Sequence, residues 1–324
     1  MKIGYFLSCE EYTPESLLSQ ARLAEEAGFE SLWISDHFHP WNDAQGQSAF
    51  VWSMIGALSQ VTSLPITTAV TCPTIRIHPV IIAQAAATSA VLTGGKFTLG
   101  IGSGEALNEH VTGARWPDTG KRLDMLRESV EVMRELWKGG FVDHHGEHYT
   151  VENARIYTLP ETPPEIYISG FGPRASTLAG EIGDGFVTIP PDTDNIQAFR
   201  AAGGTGKPLH AGVKVCWGND EEQALRTAHE LWANDALPGE LAQTLSSPRH
   251  FEQASSLVTP EMIRNSIAHG NDVDRHVEAF RPYAEAGIDV VHVQQMGAAR
   301  PGTDAEGFFA FYRDQVLPRL RELS

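Results

Sequence analysis

Short apolar runs rich in β-branched and aromatic residues recur along the chain. Each is followed by a longer stretch whose apolar positions return every three or four residues. The runs predict strands at Ile3–Leu7, Ser31–Ser35, Ile66–Val70, Phe97–Ile101, Glu165–Ser169, Gly185–Thr188, Leu209–Cys216 and Val290–Val293. The longer stretches predict helices at Pro14–Gly28, Phe50–Val61, Pro79–Leu92, Arg122–Trp137, Pro173–Ile182, Asp220–Trp232, Asp272–Ala286 and Ala305–Leu320. The first helix carries its own punctuation: Thr13 can cap, Pro14 opens and Gly28 stops it. Phe141–Val151 reads as a hairpin turning near His145-Gly146.

Strands and helices in alternation predict a parallel sheet. Eight βα units favour closure as an α/β (β/α)8 TIM barrel, and the 324 residues fit one barrel with insertions. The first unit has no Gly-x-Gly-x-x-Gly turn, which counts against a dinucleotide-binding open sheet. Residues 234–268 fit no βα slot; they read as a helical insertion before the eighth strand, lying over the barrel mouth. With no repeat or linker, one domain over residues 1–324 is expected.

Composition narrows the partners. The formal net charge is −17, a surface that repels phosphate backbones and anionic lipid. Neither nucleic acid nor membrane is expected as a partner; a small molecule is. No apolar run approaches 18 residues, and the N-terminus lacks a signal-peptide pattern. Cys9, Cys72 and Cys216 are too few and too widely spaced for a disulfide framework or a zinc pattern, so a reducing cytoplasm is the expected compartment.

A barrel of this kind carries its active site at the C-terminal ends of its strands. That rule selects Cys9, Glu10 and Glu11 after the first strand and Asp36 to Trp41 after the second. It selects Thr71 to Thr74 after the third, Gly102 to His110 after the fourth and Gly170 to Gly172 after the fifth. Carboxylates beside imidazoles suit acid–base work, and glycines let backbone amides approach a flat ring or a phosphate. Ser169-Gly170-Phe171-Gly172 runs into a helix whose free N–H groups can hold phosphate. Each residue also has an ordinary reading. Asp36 can cap a turn, Trp41 and Phe171 can be packing, Ser103 can cap a helix, and Cys72 is a small buried hydrophobe without a local base. His144, His145 and His148 lie in a hairpin whose alternation separates neighbours, so no metal is expected there.

The motifs together resemble one family. SDHFHPW (Ser35–Trp41), VTCPTIRIHPVIIAQAAAT (Val70–Thr88), GSGEALNEH (Gly102–His110), the hairpin around GEHY and YISGFGP are similar to the F420-dependent branch of the luciferase-like superfamily. The resemblance runs over nearly the whole chain and is weakest across residues 190–268. It implies coenzyme F420 as cofactor, hydride exchange with an alcohol or carbonyl substrate, and a homodimer. It also implies roles. His37 would be the base, Trp41 would steady developing charge, Glu105 would protonate or bond the reduced ring, and Glu10 would lie near the substrate. Asp36, Ser103, Asn108, Gly170, Phe171 and Gly172 would hold the cofactor. Ala69-Val70 would form a non-proline cis peptide behind its ring.

One departure bears on substrate. Sugar-phosphate dehydrogenases of this branch hold phosphate with two lysines and an arginine over the barrel mouth. The corresponding positions here are Asp192, Ala242 and Ser266, none of which binds phosphate by charge. Lys207, Arg249 and Arg264 are the cations available to substitute. Ile189-Pro190-Pro191 suggests an apolar wall, so the expected substrate is a neutral alcohol, a ketone or a larger metabolite rather than glucose 6-phosphate. The alternatives are an FMN-dependent monooxygenase of the same superfamily and, from a different class, a ligand-binding barrel without catalysis. Retention of Asp36, His37, Trp41 and Glu105 together argues against the last.

Overall fold

The computed structural model describes residues 1–189, 191–300 and 303–322. Within them, eight parallel strands close into a barrel: β1 (Lys2–Leu7), β2 (Leu32–Ile34), β3 (Ile66–Thr68), β4 (Phe97–Ile101), β5 (Ile166–Ser169), β6 (Gly185–Thr188), β7 (Leu209–Cys216) and β8 (Val290–Gln295). Each pairs with its neighbours in sequence, β6 with β7 through Phe186 opposite Leu209, and β8 closes the barrel on β1 through Lys2 opposite Val290. The barrel is the TIM type that the alternation predicts.

The interior is filled. Trp33 stacks on His292 with ring centroids 4.3 Å apart, and Phe6, Tyr167 and Val187 pack in the same cluster. This layer is a floor beneath the C-terminal mouth, as barrel cores are packed rather than hollow. Outside it, the helices bury their apolar stripes on the outward faces of the strands.

Local chemistry sets most boundaries. Helix Pro14–Ala27 starts where the Thr13 side chain accepts from the Ser16 N–H and ends at Gly28 with φ +91°, which a side chain would resist. The long helix runs Thr119–Trp137, three residues earlier than its apolar pattern, because Asp118 accepts from the Lys121 N–H. β3 stops at Thr68, short of the expected Val70, and the cis peptide Ala69-Val70 follows, as the resemblance implies.

Several expectations need correction. Asp272–Ala286 is not one helix but two, Val273–Glu278 and Arg281–Glu285; Pro282 has no N–H to continue the ladder and opens the second. Ala305–Leu320 is helical but widens into a π turn over Tyr312–Val316, next to Pro318, which cannot bond back to Asp314. Helix Thr193–Phe199, capped by Asp192, fills the interval after β6 where the periodicity assigned none. The insertion is helical, with helices Leu241–Thr244, Pro248–Ser255 and Pro260–Ser266, but it ends in a two-residue strand, Ala268–His269, beside β7. Pro190, part of the proposed apolar wall, lies outside the described residues. No helix among the described residues is long and apolar enough to cross a membrane.

Candidate active site

The loop after β1 turns Glu10 inward. Its Oε2 accepts hydrogen bonds from Ser8 Oγ at 2.8 Å and Ser35 Oγ at 2.6 Å, and Ser35 Oγ also receives the Cys9 N–H. These bonds fix Oε1 3.3 Å from Nε2 of His37, the residue two beyond Ser35. Glu105 Oε2 approaches the same nitrogen at 3.7 Å from the loop after β4. Asn108, one helical turn later, donates from Nδ2 to Glu105 at 2.9 Å and lies 3.1 Å from His37 Nδ1. Its Oδ1 accepts the N–H groups of Phe38 and His39. One amide thus ties the β2 loop to the β4 loop. Trp41 sets its ring 4.9 Å from His37, and Phe251 of the insertion meets it edge-on at 5.0 Å.

The electrostatics follow from enclosure. Burial pushes the Glu105 carboxyl up from its ordinary value, opposed by His37 and the Asn108 amide. Glu105 therefore keeps a proton at higher pH than a solvated carboxylate. Cys9 and Cys72 are buried thiols, pushed well up by desolvation, and neither is a nucleophile at neutral pH.

Asp36 points the other way from His37. It is buried and accepts from Thr71 Oγ1 at 2.8 Å and Arg76 Nη2 at 2.7 Å. Arg76 also donates its backbone N–H to Glu109 at 2.7 Å. Thr71, Arg76, Asp36 and Glu109 form a buried platform joining the loops after β2, β3 and β4. Burial pushes Glu109 up despite Arg76.

Thus Glu10, His37, Trp41, Glu105 and Asn108 come together as one cluster. Ala69 and Val70 stand beside Gly102, where a Cβ would lie 2.9 Å from Val70 Cγ2. Ser103 makes no side-chain hydrogen bond among the described residues, and the cap residue of helix Ala106–Glu109 is Glu105, so Ser103 is not a helix cap. Gly170, Phe171 and Gly172 lie at the rim and form no hydrogen bond with the His37 cluster. A Cβ at Gly170 would meet Ser176 N at 2.9 Å, while Gly172 faces open space. Phe171 is exposed. His144 bonds Glu128 and His145 is exposed; among the described residues no three His, Cys, Asp or Glu side chains gather as a metal site.

Three participants escape sequence reasoning. Arg76 has no signal beyond being a cation after β3. Phe251 sits in the segment with no strand to index it. Trp232 bonds Glu11 across 221 residues of sequence. Of the cations named as substitutes for the phosphate-binding set, Arg264 is paired with Glu222 and Glu261, Lys207 is bonded to the Gly180 carbonyl, and Arg249 is exposed on helix Pro248–Ser255. Asp192 is occupied as the cap of its helix.

Known proteins resemble this chain along its whole length. Residues 1–290 match the family described as luciferase-like monooxygenase. An F420-dependent glucose-6-phosphate dehydrogenase of Amycolatopsis mediterranei is 35% identical over 337 positions, covering 100% of this chain and 99% of that protein. Its namesake in Mycolicibacterium smegmatis is 34% identical at 100% and 99% coverage. Among solved structures, an F420-dependent secondary alcohol dehydrogenase in complex with an F420-acetone adduct superposes with TM-score 0.89 and 32% identity, covering 99% of both chains. A family match over residues 1–290 and relatives 34–35% identical along their whole length make one conclusion: the chain belongs to the luciferase-like monooxygenase family.

Proposed function

We propose that this protein is an F420-dependent oxidoreductase that exchanges a hydride with a neutral alcohol or ketone. The observation that carries the reading is the cluster at His37, whose Nε2 faces Glu10 at 3.3 Å and Glu105 at 3.7 Å beneath the Trp41 ring. An imidazole with two carboxyls at one nitrogen can take and return the single proton that an alcohol–carbonyl interconversion moves.

The residues present fit the deazaflavin. Gly102 adds no bulk against Val70, as a ring lying beside Ala69-Val70 would require. Gly172 faces open space at the start of helix Pro173–Ile182, whose first-turn N–H groups have no intrahelical acceptor and suit a phosphate. Ala69, Val70, Ser103 and Asn108 would hold the ring, Asp36 would support it from the Arg76 platform, and Gly170, Phe171 and Gly172 would hold its tail. Coenzyme F420 supplies hydride transfer when bound. The chain supplies the rest. Nε2 of His37 takes the hydroxyl proton, Glu10 orients the imidazole and offsets its charge, and Glu105 donates or holds a proton. Trp41 and Phe251 exclude water.

A phosphorylated substrate is disfavoured. Asp192 is an acid at a helix cap, Ser266 bonds its own helix, and Arg264 is already ion-paired. A homodimer is proposed on the family resemblance alone. The test is F420 reduction, followed by its absorbance, with secondary alcohols and with glucose 6-phosphate. Turnover with a neutral alcohol and none with the sugar phosphate supports the reading; preference for the sugar phosphate overturns it.

A further inference from the structure

Glu11 stands next to the catalytic cluster but faces away from it. Its Oε2 accepts the Trp232 indole N–H at 2.8 Å, and its Oε1 accepts the Gly297 N–H. Trp232 is buried and is the last residue of helix Glu221–Trp232, where the insertion departs. Gly297 begins the loop after β8. The neighbouring Tyr12 reinforces the same junction: its hydroxyl donates to the Gln295 carbonyl at 2.7 Å and accepts the Ala298 N–H at 3.1 Å. The root of the insertion is also held to the β2 loop, since Asn42 Nδ2 and Gln45 Nε2 both donate to the Leu231 carbonyl. The same insertion places Phe251 on Trp41, above His37.

We propose that Glu11 is a positioning residue, a single carboxyl that clasps the insertion and the β8 loop to the β1 loop and so sets how tightly the mouth over His37 is closed. This goes beyond the roles given to Glu10, His37 and Glu105. It rests on the His37 cluster being the active site only for its consequence, because the clasp itself needs no ligand.

The clasp responds to pH. Burial pushes the Glu11 carboxyl up from 4.5 to about 7, against the hydrogen bonds from Trp232, Gly297 and Tyr12 and with some help from Glu10. The groups facing it are Glu10 on its own loop, Tyr5 on β1, Tyr12, and Cys216 on β7. Lys214 lies 4.1 Å over the Trp232 ring, but Asp235 takes up its charge at 2.6 Å; Arg300 of the β8 loop pairs with Glu230. A group whose pKa is higher when clasped than when solvated binds its proton preferentially in the clasped state. Closure is therefore strongest below pH 4.5, weakens as pH rises from 4.5 to about 7, and levels off above that. With about 7 for the clasped carboxyl and 4.5 for the solvated one, opening becomes roughly tenfold more favourable between pH 6 and pH 8.

The experiment is amide hydrogen exchange of the full-length protein at pH 6 and pH 8, corrected for intrinsic rates and read over residues 233–269 and 296–300. Wild type is expected to lose about tenfold protection there at pH 8. Glu11→Gln is neutral at both pH values and is expected to show no such change. Trp232→Phe, which keeps the carboxyl and deletes one donor, is expected to open more at both. Parallel loss of protection in wild type and Glu11→Gln, or an unaltered Trp232→Phe, would overturn the proposal. Failure to bind F420 would leave these outcomes untouched, so the two readings fail separately.

Discussion

Asn108 holds its amide nitrogen 3.1 Å from Nδ1 of His37, while the His39 carbonyl lies 3.2 Å from the same atom. The two neighbours ask opposite things of one nitrogen. When Nδ1 carries hydrogen it donates to the carbonyl and leaves Nε2 bare to take a proton. When Nδ1 is bare it accepts from the amide, and Nε2–H points at Glu10. Each tautomer therefore satisfies one Nδ1 neighbour and leaves the other, so neither form is locked in, which suits a reversible proton carrier.

Asn108→Ala removes this choice and frees both loops. A drop in kcat of about 100-fold is expected, the size of a small displacement of reacting groups. Steady-state kinetics and circular dichroism together check that activity falls while the fold stays.

Glu105 is pushed up by burial, so its protonated form persists to higher pH than that of an exposed carboxyl. The sign gives a falling limb: activity that needs this proton is present below the raised pKa and lost above it. Glu105→Gln is expected to lower kcat by roughly 100-fold or more and to abolish that limb. A kcat profile from pH 5 to pH 9 that keeps the limb in Glu105→Gln would remove Glu105 from the proton path.

Arg76 joins Asp36 at 2.7 Å and Glu109 at 3.5 Å, all three side chains nearly inaccessible. Arg76→Met leaves two buried carboxyls without their cation, and a loss of about 3–5 kcal/mol is expected. Urea unfolding measures it. Rescue by pairing Arg76→Met with Asp36→Asn and Glu109→Gln would trace the loss to the stranded charges rather than to packing.

His276 is buried, bonded to Tyr312 and the Gly270 carbonyl, and desolvation holds its pKa down from 6.5 to about 4. Burial holds His210 down to about 4 as well. The unfolded chain takes up protons below pH 6.5 that the native imidazoles refuse. Stability is thus full above 6.5 and lost as pH falls towards 4, with no further loss from these groups below that. His276→Gln should reduce the slope of unfolding free energy by about 1.4 kcal/mol per pH unit in that window. An unchanged slope would mean that His276 is protonated in the native state.

The barrel was legible because its signals are local. β-branched runs marked the strands, and Thr13, Pro14 and Gly28 marked the first helix. What failed was local too: Pro282 and Pro318 sit inside good helical periodicity, and the pattern outweighed their missing N–H. Helix Thr193–Phe199 is short and polar, with too few turns to show a period. Glu10, His37, Trp41, Glu105 and Asn108 were legible from strand-end position and motif. Arg76 was not, because its partnership with Asp36 spans 40 residues and no spacing rule encodes it. The Glu11–Trp232 clasp depends on where a strandless insertion is rooted, which no run of sequence reveals.

The central claim is the cofactor, and one titration tests it: the intrinsic fluorescence of the purified protein with oxidised coenzyme F420, and in parallel with FMN. The account predicts saturable, tight binding of F420 and much weaker binding of FMN. Preference for FMN would contradict it, and would move the chain to the oxygen-using side of its family.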